Sequence, residues 1–513
     1  MSDYAKHVGI LGLPIDNMTL DETVSKIFDL CNDYLIDGRP RLIATVNVDF
    51  LVNLHSAKNY KVRHPELMAI LRQADVITPD GMPLIWFSQL LGKPLQQRVT
   101  GADLVPQIAV EAARLKKSIF FLGGDGDVAR RAATTLQNHN PELLVAGFSS
   151  PFVHIEGEYL ADEFKRDDEV VEMINFTKPD ILLIAFGNPK QEIWYWRNRH
   201  RLKVPVSIGI GGTFNFVTGA ISRAPVWAQK SGLEWLYRIT QDPARLWRRY
   251  FYGLVKLFFF VTPILPQVLS LRKKGKKVSG AVGRTRLRFG QDKVTIMLPS
   301  QVNGEVVASV TNDTDSVETG HLEFDFRDVE SIDIAALGEF LVLRRNKLLE
   351  NCAVTARNIK PGIRRILTAH RSLDLFDMNY LLSGSTDDTE NNEAAMSENN
   401  EDFKLESRDS VSVLTFFDRL DALRISKFDV RDMQDKLKNK DIIIDLTWVR
   451  FVDSSAIGFL VKIKRIARKT GNKVVICGIK DMVLQVFRMT RMELVFELAE
   501  TLEEADELLR ITT

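Results

Sequence analysis

Cysteine is scarce: three residues in 513, Cys31, Cys352 and Cys477, far apart and without CxxC or Cys/His spacing. That excludes a disulfide framework and a zinc site of ordinary spacing, and a reducing cytoplasm is the expected compartment. The opening MSDYAKHVGILGLPID lacks the apolar stretch of a signal peptide. The apolar run from Phe251 to Leu271 approaches the length of a membrane span, but Lys256, Pro263, Pro266 and Gln267 interrupt it. A spanning helix of about 20 apolar residues does not carry so many breaks. Net charge is also nearly absent, at +1, yet the total hides an asymmetry. Arg238 to Lys277 holds ten Lys or Arg against the single acid Asp242, whereas Asp387 to Asp409 holds nine acids against Lys404 and Arg408. A basic segment and an acidic linker are expected.

What is present is a globular composition, 45% hydrophobic and 26% charged, in a chain long enough for about three domains at roughly one per 150 residues. Residues 1 to about 210 alternate short apolar runs with amphipathic helical patterns. Expected strands are Val8 to Gly12, Leu42 to Val46, Val76 to Thr78, Ser118 to Leu122, Leu143 to Gly147, Ile181 to Phe186 and Val206 to Ile210. Thr19-Leu-Asp-Glu22 reads as a capping box opening the first helix. The alternation predicts an α/β fold: a mostly parallel sheet with helices on both faces.

Several of these strands end in polar or glycine-rich turns: Thr45-Val-Asn47, Thr78-Pro-Asp80-Gly81, Gly123-Gly-Asp-Gly126, Phe186-Gly-Asn-Pro-Lys-Gln191 and Gly209-Ile-Gly-Gly212. Open α/β sheets hold ligands at the carboxyl ends of their strands, so these turns would line one crevice. Asp80 stands where Pro79 and Gly81 force the backbone around one carboxylate; its alternative role is to cap the helix beginning near Pro83. Gly124-Asp-Gly-Asp-Val-Ala129 fits a GxGxxA phosphate loop, but Asp125 and Asp127 would repel a diphosphate, and a tight turn explains the glycines equally. No acidic ribose-binding residue is evident about 20 residues further on, which argues against a nicotinamide enzyme.

Arg238, Arg245 and Arg248 would share one face of a continuous helix, with Pro243 tolerated only near a helix start. Clustered guanidiniums suit a diphosphate, each gripping it through two hydrogen bonds; a solvated basic face is the plainer use. The apolar run that follows, with Arg272-Lys-Lys-Gly-Lys-Lys277 behind it, is expected to lie in a membrane interface, the alternative being a core helix with a basic tail.

From about residue 290 one unit occurs twice at an offset of 120: Asp325 falls on Asp445, Asp333 on Asp453, Gly338 on Gly458, Lys360 on Lys480 and Phe376 on Phe496. Each copy reads strand, helix, strand, helix. Ser383 to Ser410 between them is too polar to bury a core and is expected to be disordered. The second copy places Ser454 and Ser455 at a helix N-terminus, where a phosphate dianion would be favoured and where plain capping is the alternative; the first has Ile334 and Ala335 there.

Residues 8 to about 250 resemble the WecG/TagA/CpsF family of bacterial glycosyltransferases in Thr45-Val-Asn47, Thr78-Pro-Asp80-Gly81, Arg98-Val-Thr-Gly101, Phe186-Gly-Asn-Pro-Lys-Gln191-Glu, Gly209-Ile-Gly-Gly-Thr-Phe and Arg223-Ala-Pro225 through Arg249. The two repeats resemble STAS domains, the fold of anti-sigma-factor antagonists, through Asp453-Ser-Ser-Ala-Ile-Gly458. The resemblance implies a Rossmann-like transferase (1–250), a membrane-associating segment (251–285), a STAS-like unit (286–382), a linker (383–409) and a second STAS-like unit (410–513). It implies a metal-independent, inverting transfer of a sugar, commonly N-acetylmannosamine from UDP, to a polyprenyl-diphosphate-linked saccharide at the inner membrane face, with no cofactor and no nucleic acid.

Asp80 is the expected base, and Arg238, Arg245 and Arg248 the positive environment for the leaving diphosphate. Thr45, Asn47 and Gln191 would contact the donor, with Arg98 and Asn215 in the same substrate set. One departure is Asn215, where the family has Asp, which exchanges a charged acceptor for an amide. The STAS pair implies partner binding controlled by phosphorylation of Ser454 or Ser455. The rival reading is a signalling protein whose transferase domain has become a sugar-nucleotide sensor.

Overall fold

The computed structural model describes residues 5–56, 62–154, 160–225, 227–228, 234–241, 243–266, 285–290, 293–315, 320–349, 352–376, 403–408, 411–425 and 440–511. The basic run Arg272–Lys277 and the linker up to residue 402 lie outside them.

The first apolar run does not join the main sheet as expected. It forms β1 (His7–Ile10), which turns back antiparallel on β2 (Leu13–Asp16) as a separate hairpin. Only Leu11 and Gly12 separate these strands, both at positive φ, and a two-residue connection joins antiparallel strands, never parallel ones.

The remaining runs appear as expected: β3 (Arg41–Val46), β4 (Val76–Pro79), β5 (Ser118–Gly123), β6 (Leu144–Ser149), β7 (Ile181–Ala185) and β8 (Val206–Gly209). They build one sheet in the order β4-β3-β8-β7-β5-β6, parallel at every pairing. Alternate side chains feed opposite layers: Leu42, Ala44, Ile77, Phe120 and Leu182 one side, Ile43, Val76, Phe121, Leu183 and Ile208 the other. Both faces are therefore covered, as a parallel sheet requires.

The connections are α1 (Leu20–Asp37), α2 (Val48–Leu54), α3 (Pro65–Gln73), α4 (Met82–Leu90), α5 (Gly101–Leu115), α6 (Val128–His139), α7 (Leu160–Thr177), α8 (Lys190–Asn198) and α9 (Thr213–Val217). The capping box at α1 is present: the Glu22 amide donates to Thr19 Oγ1 at 3.2 Å and the Thr19 amide to the Glu22 carboxylate at 2.7 Å.

The helix Pro243–Val261 runs straight through the expected boundary at residue 250. Leu257, Phe260 and Ile264 enter the same apolar layer as α2 and α3, so this segment is half core.

The duplication is visible in the backbone. β9 (Arg286–Phe289), β10 (Lys293–Met297), β12 (His321–Asp325) and β14 (Ala353–Arg357) take the order β14-β12-β10-β9. β15 (Phe403–Arg408), β16 (Val411–Leu420), β17 (Asp441–Val452) and β18 (Val474–Cys477) repeat it, with β19 (Glu497–Ala499) added at the edge. In both, the first strand is antiparallel to the second and the others are parallel. β15 corrects the expected linker, which ends by residue 402: Phe403 and Leu405 alternate with polar residues and pack on the second repeat's core. A two-stranded piece, β11 (Gln301–Val302) with β13 (Ser331–Ile332), completes the first repeat.

The first repeat shares its core with the N-terminal unit: Ile296, Phe324, Leu337 and Phe340 belong to one cluster with Val8, Leu13 and Ile70. Backbone meets backbone at the seam. A Cβ on Gly338 would lie 2.8 Å from the His7 carbonyl carbon, and one on Gly9 would lie 2.7 Å from Leu337 Cβ. His7 bridges Glu339 at 3.0 Å and Asp16 at 3.4 Å. Burial opposes its charge, but those two carboxylates push it up to about 9. Gly338→Ala is expected to destabilise the protein by about 1–3 kcal/mol, because only backbone can yield there. Gly362→Ala, in open space on the helix Pro361–Ala369, should be neutral or slightly stabilising. Denaturant melts of the two variants check this.

Candidate active site

Register brings the polar turns together. Val46 pairs with Pro79, Ala44 with Gly209, Gly209 with Ile184 and Gly123 with Ala185. Asn47, Asp80, the Gly211–Thr213 turn, the Phe186–Gln191 turn and Gly124 therefore leave the sheet at one edge. The Asp80 amide donates to the Val46 carbonyl at 2.7 Å, tying its turn to β3. Gly81 follows at φ 134°, a backbone closed to ordinary L residues, and is itself the N-cap of α4. Gly81 has no side chain to cap α4, and Asp80 stands half-buried at the strand end directly before it.

Thr45 and Gln191, both buried, hold the edge in shape. Thr45 Oγ1 donates to the Gly209 carbonyl at 2.8 Å. Gln191 Oε1 accepts from the Gly187 amide at 3.2 Å and the Gly211 amide at 3.0 Å, stapling the turns after β7 and β8. Its Nε2 donates to Glu192 at 2.7 Å. Asn47 Oδ1 accepts from the Asp49 amide at 3.0 Å and so caps α2.

Sequence reasoning did not single out Glu192, which directly follows Gln191 in the motif. It is 1% exposed and receives a second bond from Asn188 at 3.3 Å. Burial pushes its carboxyl up to about 7 against those hydrogen bonds. Asn188 in turn accepts from Asn53 of α2 at 2.7 Å.

Arg98 is ion-paired within the protein. It bonds Glu234 at 2.8 Å and lies 3.6 Å from Asp103, which Arg223 also grips at 2.5 Å. Burial would raise Asp103, but the hydrogen bonds from Arg223 and Thr100 and the charges of Arg223 and Arg98 hold it below the usual carboxylate range. This network anchors the start of the helix Glu234–Gln241, on which Arg238 sits. Arg245 and Arg248 occupy the next helix, opened by Pro243. The expected continuous helix is thus two helices. Arg248 is exposed, and the side chains of Arg238 and Arg245 lie outside the described residues. Asn215 is half-buried on α9, its carbonyl accepting from the Ile221 amide at 3.0 Å.

The turn Gly123–Gly126 is a tight turn with all three of its glycines at positive φ, and Asp127 beyond it pairs with Arg130 and Arg131, each at 2.9 Å. A cleft of about 600 Å³ opens beside Phe186, Asn188 and Lys190 on this edge, walled opposite by Val486 and Thr490 of the second repeat. Among the described residues no group of three His, Cys, Asp or Glu is placed to hold a metal ion.

Comparison with known proteins now decides the class. Residues 8–274 match the model of the glycosyl transferase WecG/TagA/CpsF family. The chain belongs to that family. This WecG/TagA/CpsF member is an enzyme, a hexosyltransferase, and its residues 402–505 match the STAS domain. It is 32% identical over 244 residues to an N-acetylglucosaminyldiphosphoundecaprenol N-acetyl-beta-D-mannosaminyltransferase of Bacillus spizizenii, covering 48% of this chain and 86% of that one. Proteins of the same description from Staphylococcus aureus (30%; 48% and 89% covered) and Bacillus subtilis (28%; 45% and 83%) are similar. Among solved structures, the unphosphorylated anti-sigma factor antagonist SpoIIAA aligns at 18% identity and TM-score 0.18, over 21% of this chain and 97% of that one.

Glu192 gives the transferase a pH dependence with a definite sign. Its folded pKa is raised, so its contribution is complete below about 4.5 and lost as pH rises through about 7. Glu192→Gln should flatten that fall, so that the stability lost between pH 4.5 and pH 8 is smaller than in wild type by on the order of 3 kcal/mol. Thermal melts from pH 4.5 to 8 measure the difference.

Proposed function

We propose that the enzyme transfers N-acetylmannosamine from its UDP donor to N-acetylglucosamine carried on a polyprenyl diphosphate. The transfer inverts the anomeric carbon, needs no metal, and serves synthesis of a bacterial surface polysaccharide or exopolysaccharide. The observation that carries this reading is the family match across residues 8–274, together with relatives of that description over most of their length.

In the proposed reaction Asp80 takes the proton of the acceptor hydroxyl as that oxygen bonds to the anomeric carbon. The bond from that carbon to the diphosphate oxygen breaks, and UDP leaves with the electron pair. Arg238, Arg245 and Arg248 stabilise the charge that develops on it. Asn47 and Asn215 face the donor. Thr45 and Gln191 shape the donor site through their bonds to Gly209, Gly187 and Gly211. Arg98 positions the Arg238 helix through Glu234.

We place the enzyme at the inner face of the cell membrane, where a lipid-linked acceptor is found. No described helix is long and apolar enough to cross a membrane. The helix Pro243–Val261 buries Leu257 and Phe260 yet exposes Trp247, Phe251, Tyr252, Leu254, Phe258 and Phe259. An outward aromatic face on a helix bearing arginines fits a peripheral contact with anionic lipid. The STAS units recruit or regulate.

The test is UDP release from UDP-N-acetylmannosamine with a short-chain prenyl-diphosphate N-acetylglucosamine acceptor and no added metal. Asp80→Asn is expected to lower turnover about a hundredfold or more, as for a lost general base. Equal turnover in this variant would remove Asp80 from the role. A triple Trp247→Ser, Phe251→Ser, Phe258→Ser variant is expected to lose sedimentation with anionic vesicles while keeping its melting temperature, since all three side chains are exposed.

A further inference from the structure

The duplicated unit presents the same face to the transferase unit twice. In the first repeat Asp333 lies 3.1 Å from Lys93, Gly338 meets Gly9, and Glu339 holds His7. In the second, 120 residues later, Asp453 caps its own helix through the Ala456 amide at 2.9 Å, and Ser454 meets Glu66 of α3. Both the Ser454 amide and its hydroxyl donate to Glu66 Oε1, at 3.0 and 2.9 Å. Gln485 adds bonds to the Val62 and Arg63 carbonyls at 2.7 and 2.9 Å. Ser454 and Glu66 are 2% and 3% exposed.

The two contacts differ in kind. The first repeat shares one apolar cluster with the transferase unit. The second keeps a cluster of its own, to which no described transferase residue belongs. Its described hydrogen bonds to the transferase run through Ser454 and Gln485, beside the packing of the helix Ser454–Lys469 along α7, and no shared apolar core has to be opened to part the two. Desolvation and the Asp453 carboxylate push Glu66 up, while the two Ser454 hydrogen bonds and then Arg197 oppose them, so the Ser454 hydroxyl sits against two carboxylates. An anionic group on the Ser454 hydroxyl would face two carboxylates at close range. The docked repeat also supplies Val486 and Thr490, the wall of the cleft opposite Asn188 and Lys190.

We propose that the Ser454 face of the second repeat is a releasable self-docking surface, whose partner is the transferase unit of the same chain and whose release uncovers the cleft at Asn188 and Lys190. An external protein that takes this face must then compete with the transferase. The docking itself does not depend on which sugar is transferred.

The test uses the full chain carrying Arg63→Cys and Gln485→Cys, bridged by a short bismaleimide. The three native cysteines are buried and leave the added pair as the reactive ones. Bridging within one chain, unaffected by dilution, is expected in this background and with Ser454→Ala. With Ser454→Asp it should fall tenfold or more, with circular dichroism unchanged. Acylation of Lys190, read by mass spectrometry, should rise several-fold in the Asp variant alone. Equal bridging in the Asp and Ala variants, or bridging only between chains, overturns the self-docking surface. Bridging lost without a rise at Lys190 overturns the uncovering of the cleft. Neither readout needs turnover, so a failure of the proposed reaction would be seen separately.

Discussion

The parallel pairing of β4, β3, β8, β7 and β5 is the constraint on which the rest depends. Strands that run one way end on one edge, and both faces of such a sheet must be covered by apolar layers. Polar function is thereby confined to the turns at the carboxyl ends. Asp80 stands where it does because its amide extends the β3–β4 pairing by one bond to Val46. Gln191 can staple two turns only because β7 and β8 are neighbours.

The second consequence is mechanical. Asn47 caps α2, and the helix Pro243–Val261 packs on α2, with Gly253 against Val48. The outward aromatic face of that helix and the inward strand edge are thus joined by one short helix. Arg98 completes the frame from the other side by holding Glu234. The outward aromatic face and the polar strand edge are parts of one packed unit. The repeats divide the remaining labour: the first joins this unit by a shared core, and the second rests on it through the Glu66–Ser454 and Gln485 bonds and the packing of the helix Ser454–Lys469 on α7. At the matched position the first copy has Ile334, which enters the shared cluster, and the second has Ser454, which bonds Glu66.

Much of this was legible in the sequence where the cause is local. Short apolar runs between helical patterns marked the six parallel strands, the Thr19–Glu22 spacing its capping box, and the offset of 120 two sheets of one order. What failed was decided by partners distant in the chain. Whether Val8 to Gly12 joins the sheet or folds on Leu13–Asp16 depends on a two-residue turn and on the Gly9–Gly338 seam, 329 residues apart in number. The Arg98–Glu234 pair was not legible because the two residues lie 136 apart in the chain. Glu192 was hidden because a buried carboxylate and a surface one look alike in sequence. β15 was hidden because the acidic composition around it masked the alternation of Phe403 and Leu405.

Amide hydrogen exchange with and without UDP tests most directly that the strand edge is the donor site. Protection is expected at Thr45–Asn47, Thr78–Gly81, Phe186–Gln191 and Gly209–Thr213 together, since one ligand in one crevice must quiet turns from four strands at once. Protection confined to the repeats, or to the turn at Gly123–Gly126 alone, would contradict it.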